Sequence, residues 1–282
     1  MDTRVENSIG YEHIQVSAAA GIATITMNRP ERRNALSEAH MLELIASLRA
    51  AGDQPDKRAV VLAANGSVFC SGHDFADMID RDLAGMRRLL STCTDLMLTI
   101  RDLPQPVVAK VQGLATAAGC QLVASCDLAV AAEEASFATP GGKGGWFCHT
   151  PMVAVARALS AHAVGAKRAL ELAMTGDAID AHTALAWGFV NRVVPRAELD
   201  EATEALARAA SRGSLASKAL GKRTFYETID LDLEAAYARA MEVMAESAFT
   251  PDAREAFHAF LEKRPGVYQG SLEGVRRAKS SA

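Results

Sequence analysis

The sequence predicts an α/β core followed by an all-helical C-terminal region. Two observations support this fold class. Short apolar runs alternate with amphipathic helical patterns up to about residue 196, and only helical patterns follow from Ala197 onward. Strand, helix and strand in succession favour right-handed crossovers and parallel pairing. We therefore expect an α/β core over residues 1–196 and a helical region over residues 197–282.

Local patterns place the elements of the first part of the chain. Apolar residues that alternate with polar ones predict strands, and apolar spacing near 3.6 predicts helices. Ser37 is a suitable N-cap, because its side chain can accept a free backbone N–H. In chain order we predict a hairpin at His13–Ser17 and Gly21–Asn28, a helix at Ser37–Ala51, a buried strand at Ala59–Ala64, a loop at Asn65–His73, a long helix over Leu83–Ile100 and a buried strand at Val107–Val111.

The second part begins with a small-residue loop and ends in helices. After the loop at Gly113 we predict a helix near Cys120–Ser125, a strand at Asp127–Ala131, a glycine-rich loop at Gly141–Gly145, helices near Pro151–Leu159, Gly165–Met174 and Asp180–Trp187, and an extended run at Val190–Val194. The C-terminal helices are predicted near Ala197–Ser211, Leu215–Thr228, Leu233–Ser247 and Asp252–Lys263.

Composition excludes several classes of partner. The 282-residue chain has a formal net charge of −4 and a pI near 6.0, which argues against a nucleic-acid or anionic-membrane partner. Charged residues before the first apolar run argue against a secretory signal. The most apolar stretch, Val107–Ala132, contains Lys110 and Asp127 and so reads as buried core rather than a membrane span.

The five cysteines show neither disulfide nor metal-ligand spacing. Cys120 and Cys126, for example, have no accompanying histidine pair. We expect reduced thiols, no bound metal and a cytoplasmic location.

Two loops stand out as candidates for a functional site. Residues 70–75 read Cys-Ser-Gly-His-Asp-Phe, and Gly113–Asp127 is rich in glycine and alanine and leads into a helix. Such loops leave their backbone exposed, so two of them can aim two N–H groups at one oxygen. A site of this kind stabilises negative charge on a carbonyl oxygen. A tight structural turn is the alternative for either loop taken alone.

These loops belong to a set of five motifs that resembles the crotonase, or enoyl-CoA hydratase/isomerase, superfamily. The resemblance runs from about Ile14 to Arg264. The motifs are Asn28-Arg29-Pro30 with Asn34-Ala35-Leu36, the Cys70–Phe75 loop, Gly113–Asp127, the stretch from Thr175-Gly176 through Gly188-Phe189-Val190 to Val193-Val194-Pro195, and Phe260-Leu261-Glu262-Lys263-Arg264.

The resemblance implies a fold and a ligand. The expected fold is a crotonase-like spiral of β-β-α turns followed by a helical trimerisation region. The expected ligand is an acyl-CoA thioester, with coenzyme A as part of the substrate and no separate cofactor. The chain is expected to associate with itself as a homotrimer or a dimer of trimers.

The resemblance also assigns site residues. It implies that the backbone N–H groups of His73 and Ala118 form the oxyanion hole. The expected substrate contacts are Ser71, Gly72, Asp74, Phe75, Ala117, Gly119 and Pro140 near the acyl group, Arg32, Arg33 and Ala35 near the CoA, and Lys263, which could reach the CoA of a neighbouring subunit. For each basic residue, a solvated surface charge is the alternative.

The sequence departs from the family where hydratases carry two glutamates. Gln121 and Gly141 stand at those positions, and neither an amide nor a glycine transfers protons at neutral pH. We therefore expect weak or absent hydration, and the double change Gln121→Glu with Gly141→Glu would test this.

Three functions stay open on the sequence alone. The first is a nominal enoyl-CoA hydratase with impaired hydration. The second is a non-catalytic acyl-CoA-binding protein. The third is an enoyl- or dienoyl-CoA isomerase that uses His149 as its base, since His149 falls where dienoyl-CoA isomerases of this family carry an aspartate. The Gly141–Gly145 loop lacks the spacing of a phosphate loop and fits a lid over the acyl pocket better.

Overall fold

The computed structural model describes residues 10–159 and 163–270. The ends of the two predicted regions, at residues 1–9 and 271–282, lie outside the described residues. The strands are β1 (Ile14–Ala19), β2 (Ile22–Met27), β3 (Ala59–Ala64), β4 (Val68–Cys70), β5 (Val107–Val111), β6 (Leu114–Thr116), β7 (Leu128–Ala132), β8 (Ser136–Ala138), β9 (Ile179–Asp180) and β10 (Arg192–Val194).

Eleven α-helices are defined within the same residues. They are α1 (Glu38–Asp53), α2 (Phe75–Met78), α3 (Leu83–Asp102), α4 (Ala118–Ser125), α5 (His149–Leu159), α6 (Ala163–Thr175), α7 (Ala181–Trp187), α8 (Leu199–Ala210), α9 (Leu215–Thr228), α10 (Leu233–Ser247) and α11 (Pro251–Leu261). Ser37 caps α1 as predicted, because its hydroxyl accepts the His40 N–H at 3.2 Å. Within the described ranges, no helix has the length and apolar character that crossing a bilayer requires.

A six-stranded sheet forms the centre of the core, in the order β1-β2-β3-β5-β7-β10. The predicted hairpin β1–β2 is antiparallel, with Ile14 opposite Met27, and the remaining neighbours are parallel. All six residues of β3 are buried, as an apolar strand covered on both faces requires. The parallel pairing that the sequence predicts is confirmed.

A second sheet of four short strands, ordered β4-β6-β8-β9, is absent from the sequence-based prediction. Strands β3, β5 and β7 of the first sheet are each followed by one strand of the second sheet, and then by a helix or loop. This succession is the expected spiral of β-β-α turns, and the crotonase-like fold class is confirmed. The short strands matter because β4 and β6 pair in parallel and so bring the segments that follow them side by side.

Helices cover both faces of the first sheet. Helices α1 and α3 pack together over one face. Leu199 and Ala207 of α8 pack on the other face against apolar side chains of β2, β3, β5 and β7. The boundary between the core and the helical region, at residues 196 and 197, stays a prediction. Helix α8 lies beyond this boundary, and it contacts the core sheet. The described chain contains no strand after β10, in agreement with the predicted helical region.

One buried histidine links stability to pH. His40 on α1 is fully buried, and its Nδ1 lies 3.1 Å from the Ala35 carbonyl oxygen. Burial lowers the pKa of this imidazole from 6.5 to about 4, because a charged ring would lose its hydration. The folded state therefore holds His40 neutral, whereas the unfolded chain takes up a proton near pH 6.5.

We predict that acid destabilises the protein through His40. The folded pKa lies below the unfolded pKa, so the full contribution is present above pH 6.5 and falls as the pH drops toward about 4. The total loss is roughly 3 kcal/mol of unfolding free energy. Urea unfolding between pH 7.5 and 4.5 measures it. His40→Gln should flatten this pH dependence, and the exposed His258→Gln control should keep it. Equal slopes for His40→Gln and the wild type would contradict the assignment.

Candidate active site

The two small-residue loops meet because glycines allow their backbones to touch. Gly72 has φ +93°, and a Cβ on it would lie 2.9 Å from the Ala117 Cβ and 3.4 Å from the Ala118 nitrogen. A Cβ on Gly119 would lie 2.2 Å from the Cys70 carbonyl oxygen. Contacts this short leave no space for a side chain. The structure thus places the segment after β4 directly against the start of α4.

Both predicted oxyanion amides lie at this junction. The Leu36 N–H donates to the Gly72 carbonyl at 2.8 Å, and the Asp74 N–H donates to the Leu36 carbonyl at 3.0 Å. Alternating peptide groups leave the His73 N–H pointing away from Leu36. Ala118 is the first residue of α4, where helix N–H groups have no partner within the helix. Within the described residues, neither of these two N–H groups donates a hydrogen bond.

The backbone before α4 is held in an unusual conformation. Ala117 has φ +52°, in the left-handed region, and its N–H donates to the Ala138 carbonyl at 2.9 Å. Such a conformation costs of order 1–3 kcal/mol and persists only where the surroundings fix it. The strain turns the chain sharply at the point where Ala118 presents its N–H, and the positive end of the α4 dipole adds to the attraction for negative charge.

The His73 residue is partly exposed, but both nitrogens of its ring are buried. Neither ring nitrogen has a hydrogen-bond partner within the described chain. Burial lowers the pKa of the imidazole, although the Leu36 carbonyl and the Asp77 carboxylate both favour the charged form. The Trp146 ring lies 6.4 Å from the His73 ring, between centroids, at an interplanar angle of 50°. Trp146 is not among the predicted site residues, and the only signal for it in the sequence is that an aromatic residue follows a loop of four glycines and a lysine.

Gln121 stands one turn into α4 and is buried. Its Oε1 lies 3.9 Å from the Cys93 Sγ on α3, within reach of a weak S–H···O hydrogen bond. Burial raises the pKa of Cys93 to about 12, so this thiol keeps its proton at neutral pH. The amide therefore has a structural contact with α3, and it is not a group that exchanges protons.

Gly141 is enclosed by the backbone of its own loop. A Cβ there would lie 2.1 Å from the Trp146 carbonyl oxygen and 2.8 Å from the Cys148 Sγ. The Trp146 N–H in turn donates to the Gly141 carbonyl at 2.9 Å. No side chain fits this position without rerouting the loop. The double change suggested by the sequence is therefore the wrong test, because Gly141→Glu would displace the loop rather than add a carboxylate.

The glycine-rich loop closes on itself after Gly141. Gly142 to Trp146 are exposed, the Lys143 N–H donates to the Pro140 carbonyl at 3.0 Å, and Lys143 also forms an ion pair with Asp177. The role of this loop as a lid stays a prediction. His149, the candidate base, begins α5 and is exposed, with its ring centroid 5.1 Å from that of Phe147.

The remaining predicted contacts surround the amide pair. Arg32 and Arg33 are exposed, and the Arg33 carbonyl accepts the Ser71 N–H at 3.1 Å, which places this loop beside the Cys70–Phe75 segment. Ala35 is buried and Phe75 is exposed. Lys263, just beyond α11, is exposed. Pro140 begins the short 3-10 turn that contains Gly141. The substrate contacts of these residues stay predictions.

Asp74 is already occupied by protein groups. Its carboxylate lies 3.2 Å from Arg29 Nη2 and accepts the Ala76 N–H at the start of α2. Arg29 also donates to the Ala35 carbonyl at 2.9 Å. The side chain of Asp74 thus ties residues 29–35 to residues 70–75, and a direct substrate contact would have to replace these bonds. The described residues contain no group of three or more His, Cys, Asp or Glu side chains arranged to hold a metal ion.

We predict that Gly119→Ala will destabilise the protein by about 1–3 kcal/mol, because the added methyl overlaps the Cys70 carbonyl. Gly221→Ala is the matched control, since this glycine lies inside α9 with nothing within 4 Å of its Cβ position. At such a position alanine stabilises a helix by up to ~1 kcal/mol. Urea unfolding of both variants measures the difference. A Gly119→Ala variant as stable as the wild type would show that the two backbones can separate.

Comparisons with known proteins find similar sequences over most of the chain. The sequence model of the family described as Enoyl-CoA hydratase/isomerase matches residues 17–271. The enoyl-CoA hydratase domain-containing protein 3, mitochondrial, of Homo sapiens is 43% identical over 251 residues, which are 88% of this chain and 80% of the relative. The 2,3-dehydroadipyl-CoA hydratase of Escherichia coli is 30% identical over 263 residues, 90% of this chain and 98% of the relative.

Two solved structures extend the likeness to the fold. A structure of enoyl-CoA hydratase from Mycobacterium smegmatis has a TM-score of 0.85 and 43% identity, and the match covers 91% of this chain and 98% of that chain. A structure of human enoyl-CoA hydratase domain-containing protein 3 has a TM-score of 0.86 and 41% identity, with coverage of 91% and 100%.

The predicted cytoplasmic location is wrong by this comparison. Relatives from Mus musculus and Homo sapiens that are 42% and 43% identical to this chain carry mitochondrial names. Free thiols indicate a reducing compartment, but they do not show which reducing compartment it is. The prediction failed for this reason.

Proposed function

The chain belongs to the enoyl-CoA hydratase/isomerase family, and from this premise we propose that it binds an acyl-CoA thioester and stabilises negative charge on the thioester oxygen. The N–H groups of His73 and Ala118 are the proposed donors. The approach of Gly72 to the Ala118 nitrogen supports this assignment most directly, because it brings the two amides together with neither one bonded within the described chain. One oxyanion donor is typically worth ~3–4 kcal/mol of barrier.

We further propose that hydration of enoyl-CoA is weak or absent. Adding water needs groups that accept and return a proton, and each such group typically contributes ~10²- to 10⁴-fold in rate. Gln121 offers an amide that contacts Cys93, and Gly141 offers no side chain. The charge-stabilising part of the site is therefore present without the proton-transferring part.

A non-catalytic acyl-CoA-binding protein is the second candidate, and the surroundings of Gly141 favour it. The Trp146 carbonyl and Cys148 fill the space where a carboxylate would extend, so the site could hold a thioester without acting on it. The isomerase alternative depends on His149. This residue is exposed and packs against Phe147, and its role as a base stays a prediction.

We predict that the purified protein will hydrate crotonyl-CoA at least ~10³-fold more slowly than a family member with both glutamates assayed in parallel. Calorimetry with butyryl-CoA on the same preparation should show binding, which separates an impaired catalyst from an inactive sample. A screen for products from enoyl, dienoyl and malonyl thioesters then distinguishes the candidates. Binding without any product supports the binding protein. Hydration within tenfold of the reference enzyme contradicts the second proposal, and failure to bind any acyl-CoA contradicts the first.

Self-association is also part of the proposal. Leu233, Tyr237, Met241 and Met244 form one face of α10 and are each more than half exposed. Phe257, Phe260 and Leu261 on α11 are exposed as well. Exposed apolar helix faces of this kind are typical of protein interfaces. They support the homotrimer, or dimer of trimers, that the sequence leads us to expect.

We predict that light scattering will give a mass about three or six times the 29.9 kDa of one chain. The double variant Tyr237→Lys with Met241→Lys should lower this mass, because two buried ammonium groups would oppose the interface. Leu42→Lys on α1 is the control, since Leu42 is also exposed but lies outside the C-terminal helices. A wild-type protein with the mass of a single chain would contradict the proposed assembly.

A further inference from the structure

The two proposed donor amides are supported in different ways. The Ala118 N–H begins α4, so the dipole of that helix favours negative charge in front of it. The His73 N–H has no long helix behind it, because α2 starts two residues later and has only four residues. It also follows Gly72, which has φ +93° and accepts many peptide orientations at little cost. A contact from outside this loop must therefore fix the direction of the His73 N–H.

Leu36 provides that contact. The Gly72 carbonyl and the His73 N–H belong to one peptide group, in which the two bonds point in opposite directions. The Leu36 N–H donates to the Gly72 carbonyl at 2.8 Å. This hydrogen bond holds the carbonyl toward Leu36, and it thereby turns the His73 N–H away from Leu36.

Arg29 holds the Leu36 N–H in the same manner. The Ala35 carbonyl and the Leu36 N–H also share one peptide group, and Arg29 Nη1 donates to that carbonyl at 2.9 Å. His40 Nδ1 lies 3.1 Å from the same oxygen. Hydrogen bonds therefore run in series from the Arg29 guanidinium through two peptide groups to the His73 N–H.

The guanidinium is itself fixed beside these peptide groups. Arg29 Nη2 lies 3.2 Å from Asp74 Oδ2, and the two side chains are only 14% and 11% exposed. Arg29 thus contacts Ala35, which precedes Leu36, and Asp74, which follows His73. Charged donors make stronger hydrogen bonds than neutral ones, and groups that are hydrogen-bonded in series polarise one another.

We propose that Arg29 is a positioning residue for the oxyanion hole, which orients and polarises the His73 N–H through the Ala35 and Gly72 carbonyls. The inference rests on the proposed function, because it requires that the His73 N–H receives the thioester oxygen. Arg29 acts through the two peptide groups and needs no contact with the ligand. Its expected effect is therefore confined to the part of the affinity that comes from the thioester oxygen.

The test measures that part directly. Butyryl-CoA and its thioether analogue S-butyl-CoA differ only in the carbonyl oxygen, so the ratio of their affinities by calorimetry reports on the two donor amides. The wild type should bind butyryl-CoA at least about tenfold more tightly than S-butyl-CoA, which corresponds to two modest net hydrogen bonds.

The main variant removes both charges of the ion pair. Arg29→Met combined with Asp74→Asn leaves no unpaired buried carboxylate, which would otherwise destabilise the fold. Its reference is Asp74→Asn alone, so the comparison isolates Arg29. The affinity ratio should be at least about threefold smaller in the double variant than in the reference, while the affinity for S-butyl-CoA stays within about twofold.

Two single variants complete the set. Arg29→Lys keeps the charge but lacks the fork that bonds Ala35 and Asp74 together, so it should give an intermediate ratio. Because it keeps the ion pair, it also decides the question if the double variant does not fold. Arg58→Met is the control, since the Arg58 guanidinium donates to the Ser211 carbonyl at 3.0 Å, between α8 and α9. It should keep the wild-type ratio.

The inference is overturned if the double variant and Asp74→Asn give the same ratio, or if Arg29→Lys keeps the full wild-type ratio. It is also overturned if the two ligands lose affinity by the same factor, because Arg29 would then support the whole site. In each of these cases the wild type still prefers the thioester, and the proposed function stands. Equal affinity of the wild type for the two ligands would instead overturn the proposed donor amides, and this inference with them.

Discussion

The whole site depends on one backbone contact, in which the start of α4 lies against the end of β4. Gly119 faces the Cys70 carbonyl, where a Cβ would be only 2.2 Å from the oxygen, and Gly72 faces Ala117 and Ala118. At each contact one of the two residues is glycine, and the missing Cβ lets its backbone approach the other segment this closely. The second sheet sets this geometry, because β4 and β6 pair in parallel with an irregular register. The small sheet is thus the support of the amide pair, and it also places Phe69 and Phe137 in the buried core.

Helix α4 also connects the site to the C-terminal helices. Ala118 begins the helix and Asp127 lies two residues beyond its end, so about 12 Å of helix separates the two. The Asp127 carboxylate accepts the Val107 N–H at 2.7 Å and the Tyr226 hydroxyl at 2.9 Å, and it pairs with Lys222 at 2.7 Å. Lys222 and Tyr226 belong to α9. Burial and the neighbouring carboxylate raise the pKa of Tyr226, which keeps the hydroxyl a donor. The segment that begins with the proposed donor amide of Ala118 is therefore tied at its far end, through Asp127, to helix α9 of the C-terminal region.

Local patterns predicted most of the fold and the positions of the amide residues. Helices α9 and α10 begin and end where apolar spacing and capping residues place them. Strands β4, β6 and β8 were missed because each has three residues in a sequence rich in small residues, and only pairing with distant segments makes them strands. The surroundings of Gly141 could not be predicted from the sequence either. The path of the loop brings the Trp146 carbonyl and the Cys148 thiol to this position. A sequence shows which side chain is missing, but it does not show what fills the space.

The two positions at which this sequence lacks an expected carboxylate therefore differ in structure. Gln121 has nearly the shape of a glutamate and lacks only its charge. At Gly141 the surrounding backbone leaves no room for a side chain. Three titratable groups close to the amide pair also favour their neutral forms: burial lowers the pKa of His73, raises that of Cys70 to about 12 and raises that of Cys120. The carboxylate of Asp74 is paired with Arg29, so negative charge that develops on a bound thioester oxygen would meet the proposed backbone donors. The proposed function thus separates two tasks: the backbone amides would stabilise an enolate, while the carboxylates that move protons to and from it are absent from positions 121 and 141.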